Sequence, residues 1–291
     1  MIPASFEWTV SAGLTGLLGT TYLQSAKGDF FAKSLTLHEL RGYAHLKSAC
    51  STLSTYLPEL LGVYVVVGSL LRLVVECTLL SLDTLDLLLA RILEGAKGAP
   101  LIKLRTPPED GCLFLVFESF LDLEHLDFID LKLGRRTYSC DASPDKRRSQ
   151  TQKGCDSTTN SIGIRLMGGI SPSFSYPGHI LPKPLARSLE PDSLRTTVLQ
   201  FAGADLLTFL KASIAVIQAF ESLQDVDLVG LSLIWARKQG APLVRVVDLS
   251  NVRFEMDYHP ESSVPLQDGL VIADCLRAFL ATISPSSPST P

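Results

Sequence analysis

The sequence predicts an α+β fold in two lobes, on three observations. Short β-rich segments punctuated by glycines open the chain and feed a single helix. An aromatic apolar run, Cys112 to Phe117, ends at Glu118 and marks a lobe boundary. Beyond it, a strand bearing Asp130 and Lys132 is followed by helical segments and a strand pair. With 291 residues and 46% apolar content, the chain can bury one large core or two lobes and is too hydrophobic to stay disordered. Residues 1–118 form the expected N-terminal lobe, with an apolar helical insertion; 119–283 form the C-terminal lobe and 284–291 a disordered tail.

From Phe6 to Phe31, Gly13, Gly16, Gly19 and Gly28 break the pattern into strands and tight turns, the last ending at Phe30-Phe31-Ala32-Lys33. Leu37, Leu40, Tyr43 and Ala44 recur at helical spacing, so a helix runs from Leu37 to Leu53. Thr36 is its cap, with Glu39 completing a T-x-x-E box. The run from Val63 to Leu93 has very little polar relief and is read as a buried helix or helix pair. It is also the one stretch where a membrane span could be suspected, but Arg72 and Glu76 spoil it. Phe128 to Leu133 alternates so that Asp130 and Lys132 share one face of the pleat. Ser193 to Phe220 is helical, Leu228 to Ala236 pairs with Leu243 to Leu249 across Lys238-Gln239-Gly240, and Gly269 to Ile283 is helical. The tail S-P-S-S-P-S-T-P has no means of packing.

A net charge of −4 and a pI near 5.8 argue against a general nucleic-acid or anionic-membrane binder. Six scattered cysteines, without C-x-x-C or a leader resembling a signal peptide, indicate neither a disulfide framework nor a zinc site. The charge is unevenly distributed. Between Lys132 and Arg165 eight basic residues (Lys132, Arg135, Arg136, Lys146, Arg147, Arg148, Lys153, Arg165) face three acids, which is +5 locally and −9 elsewhere. A basic segment in an acidic protein suits a compact polyanion, because Lys and Arg make strong charge-assisted bonds to phosphate. An ordinary solvated face is the alternative.

The block D-L-K-L-G-R-R-T-Y-S-C-D-A-S-P-D-K-R-R at 130–148 resembles the P-x-x-x-D-x-K-x-G signature of the inositol polyphosphate kinases. Its D-A-S-P-D-K extension is most similar to the inositol polyphosphate multikinases, fungal ones especially. In order along the chain, S-A-G-L-T-G resembles the family's glycine loop, A-K-S-L with Glu39 its nucleotide-lysine strand, and F-E-S-F its hinge. T-T-N-S-I-G-I-R-L-M-G-G, L-P-K-P-L-A-R-S-L, G-L-S-L-I-W and V-V-D-L-S-N complete the series.

The resemblance implies antiparallel sheets with ATP bound between the lobes, and ATP and Mg2+ as cofactors. It implies that Lys33 holds nucleotide phosphates and Glu39 orients it. Backbone groups around Glu118 would bind adenine, with Phe117 and Val116 as apolar walls. Asp130 would position the ribose or the accepting hydroxyl, Lys132 would neutralise the transferred phosphate, and Asp248 would bind magnesium. Lys146, Arg147, Lys153, Arg165, Lys183 and Arg187 are candidate clamps on phosphates of an inositol phosphate substrate. The expected reaction is phosphorylation of an inositol tris- or tetrakisphosphate, by a monomer without a transmembrane segment, in the nucleus or cytoplasm. A trisphosphate 3-kinase, a hexakisphosphate kinase, a catalytically impaired scaffold and a membrane-anchored protein are the alternatives. Departures from the pattern bear on these: Leu126 replaces the signature proline, Leu14 and Asn251 stand where the family usually has histidine, Ser119 where the hinge usually has an acid, and W-A-R-K at 235–238 also lacks an acid.

Overall fold

The computed structural model describes residues 5–10, 22–25, 29–34, 36–67, 70–76, 113–122, 125–139, 142–223, 226–254, 267 and 269–284. Its first lobe is built from β1 (Ser5–Val10), β2 (Tyr22–Ser25), β3 (Phe30–Ser34), β4 (Leu60–Val67), β5 (Leu70–Glu76) and β6 (Leu113–Glu118). These six antiparallel strands close into a barrel in the order β1-β2-β3-β6-β4-β5, which leaves no edge to pair with another chain. Between β3 and β4 the chain forms α1 (Leu37–Ala49) and the single turn α2 (Ser51–Ser54). Thr36 caps α1 as the sequence predicts, its Oγ1 accepting from the Glu39 N–H at 3.3 Å. The Glu39 carboxylate does not close the box; it turns to Lys33 instead.

The helical reading of the apolar stretch beginning at Val63 is corrected. Residues 60–67 and 70–76 are strands β4 and β5, paired with each other and with β6 and β1, so they are barrel wall and not helix. Short, continuous apolar runs do not distinguish a buried strand from a buried helix by periodicity. What decides here is the β-branched content, Val63, Val65, Val66, Val67, Val74 and Val75, with Gly68-Ser69 dividing the run. Arg72 and Glu76 therefore lie along a strand and not one helical turn apart. Residues 77–93 of that stretch, and the tail from 285, lie outside the described residues.

The second lobe runs β7 (Phe128–Leu133), α3 (Pro144–Cys155), α4 (Thr158–Ile162), β8 (Ile164–Ile170), β9 (Ile180–Leu181), α5 (Lys183–Arg187), α6 (Pro191–Ala202) and α7 (Leu206–Glu221). It continues through β10 (Val226–Asp227), β11 (Ser232–Lys238), β12 (Ala241–Val247), β13 (Arg253–Phe254) and α8 (Gly269–Ile283). An antiparallel sheet in the order β12-β11-β7-β8-β9 forms its floor, and β10 pairs with β13 apart from it. Gln239 and Gly240, both at positive φ (53° and 78°), make the tight turn that joins β11 to β12.

The two faces of this sheet do different things. Ile129, Leu131 and Leu133 of β7, with Leu233, Trp235, Val244 and Val246, join Phe201, Phe209, Val216, Phe220, Leu276 and Phe279 in the main core. Trp235 stacks on Phe209 at 4.8 Å between centroids and donates its indole N–H to Ser213 Oγ at 3.0 Å. On the opposite face Phe128, Ile234 and Ala236 meet Phe31 of the first lobe and Phe120 at the crossing between lobes. Pro191–Glu221 is long and apolar enough to cross a membrane, the one such helical stretch among the described residues. Gly203, at φ 52°, breaks it into α6 and α7, and both bury their apolar sides in the core.

Candidate active site between the lobes

Strand β7 alternates as its sequence requires: its apolar residues enter the core while Phe128, Asp130 and Lys132 face the first lobe. Asp248, just past the end of β12, meets them there. Its Oδ2 accepts from Lys132 Nζ at 3.1 Å and its Oδ1 from Lys33 Nζ at 3.1 Å, while Lys33 also donates to Glu39 Oε1 at 2.9 Å. Four charged groups from β3, α1, β7 and the end of β12 are thus linked across the two lobes. Burial works to raise the Asp248 pKa, but the ammonium groups of Lys132 and Lys33 overcome it and hold the carboxylate well below its ordinary range. A third of the Asp248 side chain remains accessible.

Backbone geometry holds this constellation. Asp248 has φ 68° and ψ 53°, a left-handed conformation that non-glycine residues adopt at a cost. The turn that follows it, Leu249–Asn251, packs under α1 at Gly42, where a β-carbon would come within 2.9 Å of Leu249 O. Only a glycine allows helix and turn to meet so closely, and this contact sets α1, and with it Glu39, over Asp248. Glu39 is 1% exposed, and burial raises its pKa against the pull of Lys33. Gly230, at φ 73°, lets the backbone pass close to Lys132 and Asn251: a β-carbon there would lie 3.8 Å from Lys132 Nζ and crowd Asn251 Nδ2 at 3.3 Å.

Asp130 is 5% exposed and its Oδ1 has no hydrogen-bond partner. Burial, then the neighbouring Asp248 charge, push its pKa up to about 6, against the attraction of Lys132 and Lys183. Next to it lies a cationic wall. Arg165 on β8 is the cross-strand partner of Lys132 and is 3% exposed. Its Nε donates to Met167 Sδ at 3.3 Å and its Nη1 is buried without a partner. Lys183 and Arg187 stand one turn apart on α5, which packs against β8. Arg187 Nε is likewise buried and unpartnered. Burial, then mutual repulsion from Arg187, lowers the pKa of Arg165, to about 10, and of Lys183. Cations held together, with Arg165 and Arg187 each keeping a buried nitrogen that lacks an acceptor, are suited to receive a polyanion.

The structure therefore gathers Lys33, Glu39, Asp130, Lys132, Arg165, Lys183, Arg187 and Asp248. It does not bring Lys146, Arg147 or Lys153 into bonding contact with that cluster. All three sit on α3, a polar helix that packs on α4; Lys146 and Lys153 are exposed, and Arg147 Nε donates to Ala142 O at 2.8 Å. Glu118 does end the last strand of the first lobe, but its side chain is exposed. Val116 and Phe117 are not cleft walls. Both are sealed in the first lobe, where Phe117 stacks on Phe31 at 5.1 Å. The half-buried apolar surface at the lobe junction comes instead from Phe31, Phe120 and Val247, over buried Phe128 and Ile234. Phe128 was within reach of the alternation argument, being two positions before Asp130 on the same face. Leu14, in the glycine-loop segment, lies outside the described residues.

Arg237, in the W-A-R-K segment that departs from the family pattern, is a structural residue here. It donates to Asp205 Oδ2 (2.7 Å), Asp127 Oδ2 (3.1 Å) and the carbonyls of Phe201 and Ala202 (both 2.9 Å), with its guanidinium over the Phe201 ring.

Two lobes joined at a short crossing, a lysine–glutamate pair in the first and a lysine and two aspartates in the second are the parts a kinase needs to move phosphate from a nucleotide. The chain belongs to the inositol polyphosphate kinase family, whose sequence model matches residues 119–268, just over half of it. Among solved structures, the fold is similar to that of the inositol phosphate multikinase Ipk2 from S. cerevisiae, crystallised with ADP and Mn2+. That match has a TM-score of 0.57 at 16% identity and covers 88% of this chain and 100% of the other. A structure from protein engineering of an inositol phosphate multikinase aligns with a TM-score of 0.46 at 20% identity, over 58% of this chain and 84% of the other. A comparison with curated proteins returns no match.

Proposed function

We propose that this protein transfers the terminal phosphoryl group of ATP to a hydroxyl of an inositol tris- or tetrakisphosphate, as a multikinase does. The observation that supports it best is the adjacency of two sites of opposite charge: the Asp130 and Asp248 carboxylates around Lys132, and the Arg165–Lys183–Arg187 wall next to Asp130. Phosphoryl transfer depends mostly on positioning and on neutralising charge, and this arrangement supplies both. Lys33, oriented by Glu39, reaches toward the nucleotide phosphates, and Phe31, Phe120 and Val247 offer apolar contact to the base. Lys132 meets the group being transferred. Arg165, Lys183 and Arg187 hold phosphates that the acceptor already carries. Asp130, with a pKa of about 6, is ionised at neutral pH and close enough to it to accept the hydroxyl proton.

Asp248 fits a divalent cation such as Mg2+: it is ionised, partly accessible and kept in place by strained backbone. Among the described residues no cluster of three His, Cys, Asp or Glu could hold a metal alone, so phosphate oxygens and water would complete the shell. When bound, the cation neutralises phosphate charge. A second reading, a binding module without turnover, draws on Asn251, a neutral amide beside Lys132 where the family usually has histidine. Nuclear or cytoplasmic location and a monomeric state belong to the same proposal.

The test is incubation of purified protein with magnesium ATP and inositol 1,4,5-trisphosphate, with anion-exchange separation of the products. Sequential tetrakis- and pentakisphosphate formation is expected. A single tetrakisphosphate points to a 3-kinase, turnover of hexakisphosphate alone to a pyrophosphate-forming kinase, and binding without any product to the second reading.

A further inference from the structure

Behind the crossing between lobes lies a second cleft, which shares Glu118 and Phe120 with the crossing but is lined by none of the charged residues gathered around Asp248. It encloses about 550 Å3, within the range of small-ligand sites. Its walls come from both lobes: α1 with the segment leading into β4, the residues 118–120 at the crossing, and the β11–β12 hairpin.

The lining is about half apolar and half polar, and the polar half carries five charged side chains. Leu40, Leu57, Leu60, Phe120 and Leu243 supply the apolar part. Arg245, Lys238 and Lys47 supply three cations against two carboxylates, Glu59 and Glu118. Lys238 Nζ already donates to Ser119 O at 2.5 Å, which ties the hairpin to the crossing. Arg245 is the half-buried guanidinium among them, whereas Lys47 is exposed. Arg245 Nη1 donates to the carbonyl of the preceding Val244, at 2.9 Å, and burial lowers its pKa although Glu118 and Tyr56 lie near. A guanidinium presents five donors in a fixed fork that matches carboxylate or phosphate oxygens. Placed beside an apolar wall in a cleft with a net positive charge, it selects a ligand with an apolar body and an anionic end.

We propose that this cleft is an effector site for a small organic anion, a carboxylate or phosphate monoester on an apolar body, with Arg245 as its anchor. The site is coupled to the catalytic residues through α1. Leu40 follows Glu39 directly, and Tyr43, Ala44 and Lys47 line the cleft one and two turns further along the same helix. An occupant that wedges or clamps the cleft shifts α1, and with it Glu39 and its hold on Lys33. This inference stands whether or not the chain turns over inositol phosphates.

The experiment uses the amphipathic dye 8-anilinonaphthalene-1-sulfonate on the full chain, with ADP and Mn2+ in excess to keep the dye from the nucleotide cleft. One saturable dye site per chain is expected. Arg245→Glu should weaken it at least about tenfold, while Lys183→Ala leaves it unchanged. Ala44→Trp fills the cleft without removing a charge and should also abolish the site; it serves if Arg245→Glu fails to give a wild-type circular dichroism melt. Phenyl phosphate and benzoate then compete with the dye: the stronger competitor names the ligand class, and displacement by neither overturns the proposal. Equal dye binding in wild type and both cleft variants overturns it as well.

Discussion

Asp130 shows how far this site works against its own stability. A carboxylate that is 5% exposed and short of a partner for Oδ1 is costly to ionise, and its pKa stands at about 6 against an ordinary 3.8. The sign of the linkage follows. The folded protein binds this proton more readily than the unfolded chain, so Asp130 destabilises the fold above pH 6, and that penalty is relieved as pH falls from 6 toward 4. Across that window the difference corresponds to about 3 kcal/mol. Asp130→Asn is therefore expected to stabilise the protein by about 1–3 kcal/mol at pH 7.5, with no gain at pH 4, while phosphoryl transfer is lost. Denaturant melts of both proteins at the two pH values check this. Arg165 and Lys183 make a separate prediction: replacing either with Ala should raise KM for the inositol phosphate at least about tenfold and leave KM for ATP unchanged. Steady-state kinetics with each substrate varied in turn would show it.

At the scale of elements, legibility in the sequence followed how local the signal was. Alternation on β7 placed Asp130 and Lys132 on one face, because that needs only the geometry of one strand, whereas Lys183 and Arg187 were named through the resemblance. The density of positive charge on α3 was equally visible, yet it could not say what α3 packs against, and Lys146 and Lys153 prove to be solvated. The apolar stretch from Val63 was misread because its strands are apolar at nearly every position and show no alternation. Asp248 was found through resemblance alone; its two lysine partners, one from each lobe, depend on contacts between elements that are distant in sequence. Arg237 was read as a departure from a pattern, whereas it pins the end of β11 to the break between α6 and α7. Arg237→Ala should cost about 2–4 kcal/mol, since it strands two aspartates and two carbonyls. Thermal denaturation would register the loss, with the catalytic cluster left in place.

On the scale of the whole molecule, the lobes are joined by a shared apolar core, the Lys33–Asp248 ion pair, α1 seated on the turn after Asp248, the Val246 N–H bond to Tyr56 O and the Lys238 bond to Ser119. A ligand that bridges the lobes should therefore stabilise the whole chain. ADP with Mn2+ at a hundred times its dissociation constant is expected to add about 2.7 kcal/mol, and this gain should vanish in Lys33→Met. The central claim is that phosphate moves from ATP to an inositol phosphate at the junction of Asp130, Lys132 and Asp248. The most direct measurement follows transfer of γ-labelled phosphate from ATP to inositol trisphosphate in wild type, Lys132→Ala and Asp248→Ala side by side. Labelled product in wild type, reduced at least about a hundredfold in both folded variants, is the predicted result. Equal transfer in wild type and either variant would place the chemistry elsewhere and contradict the account.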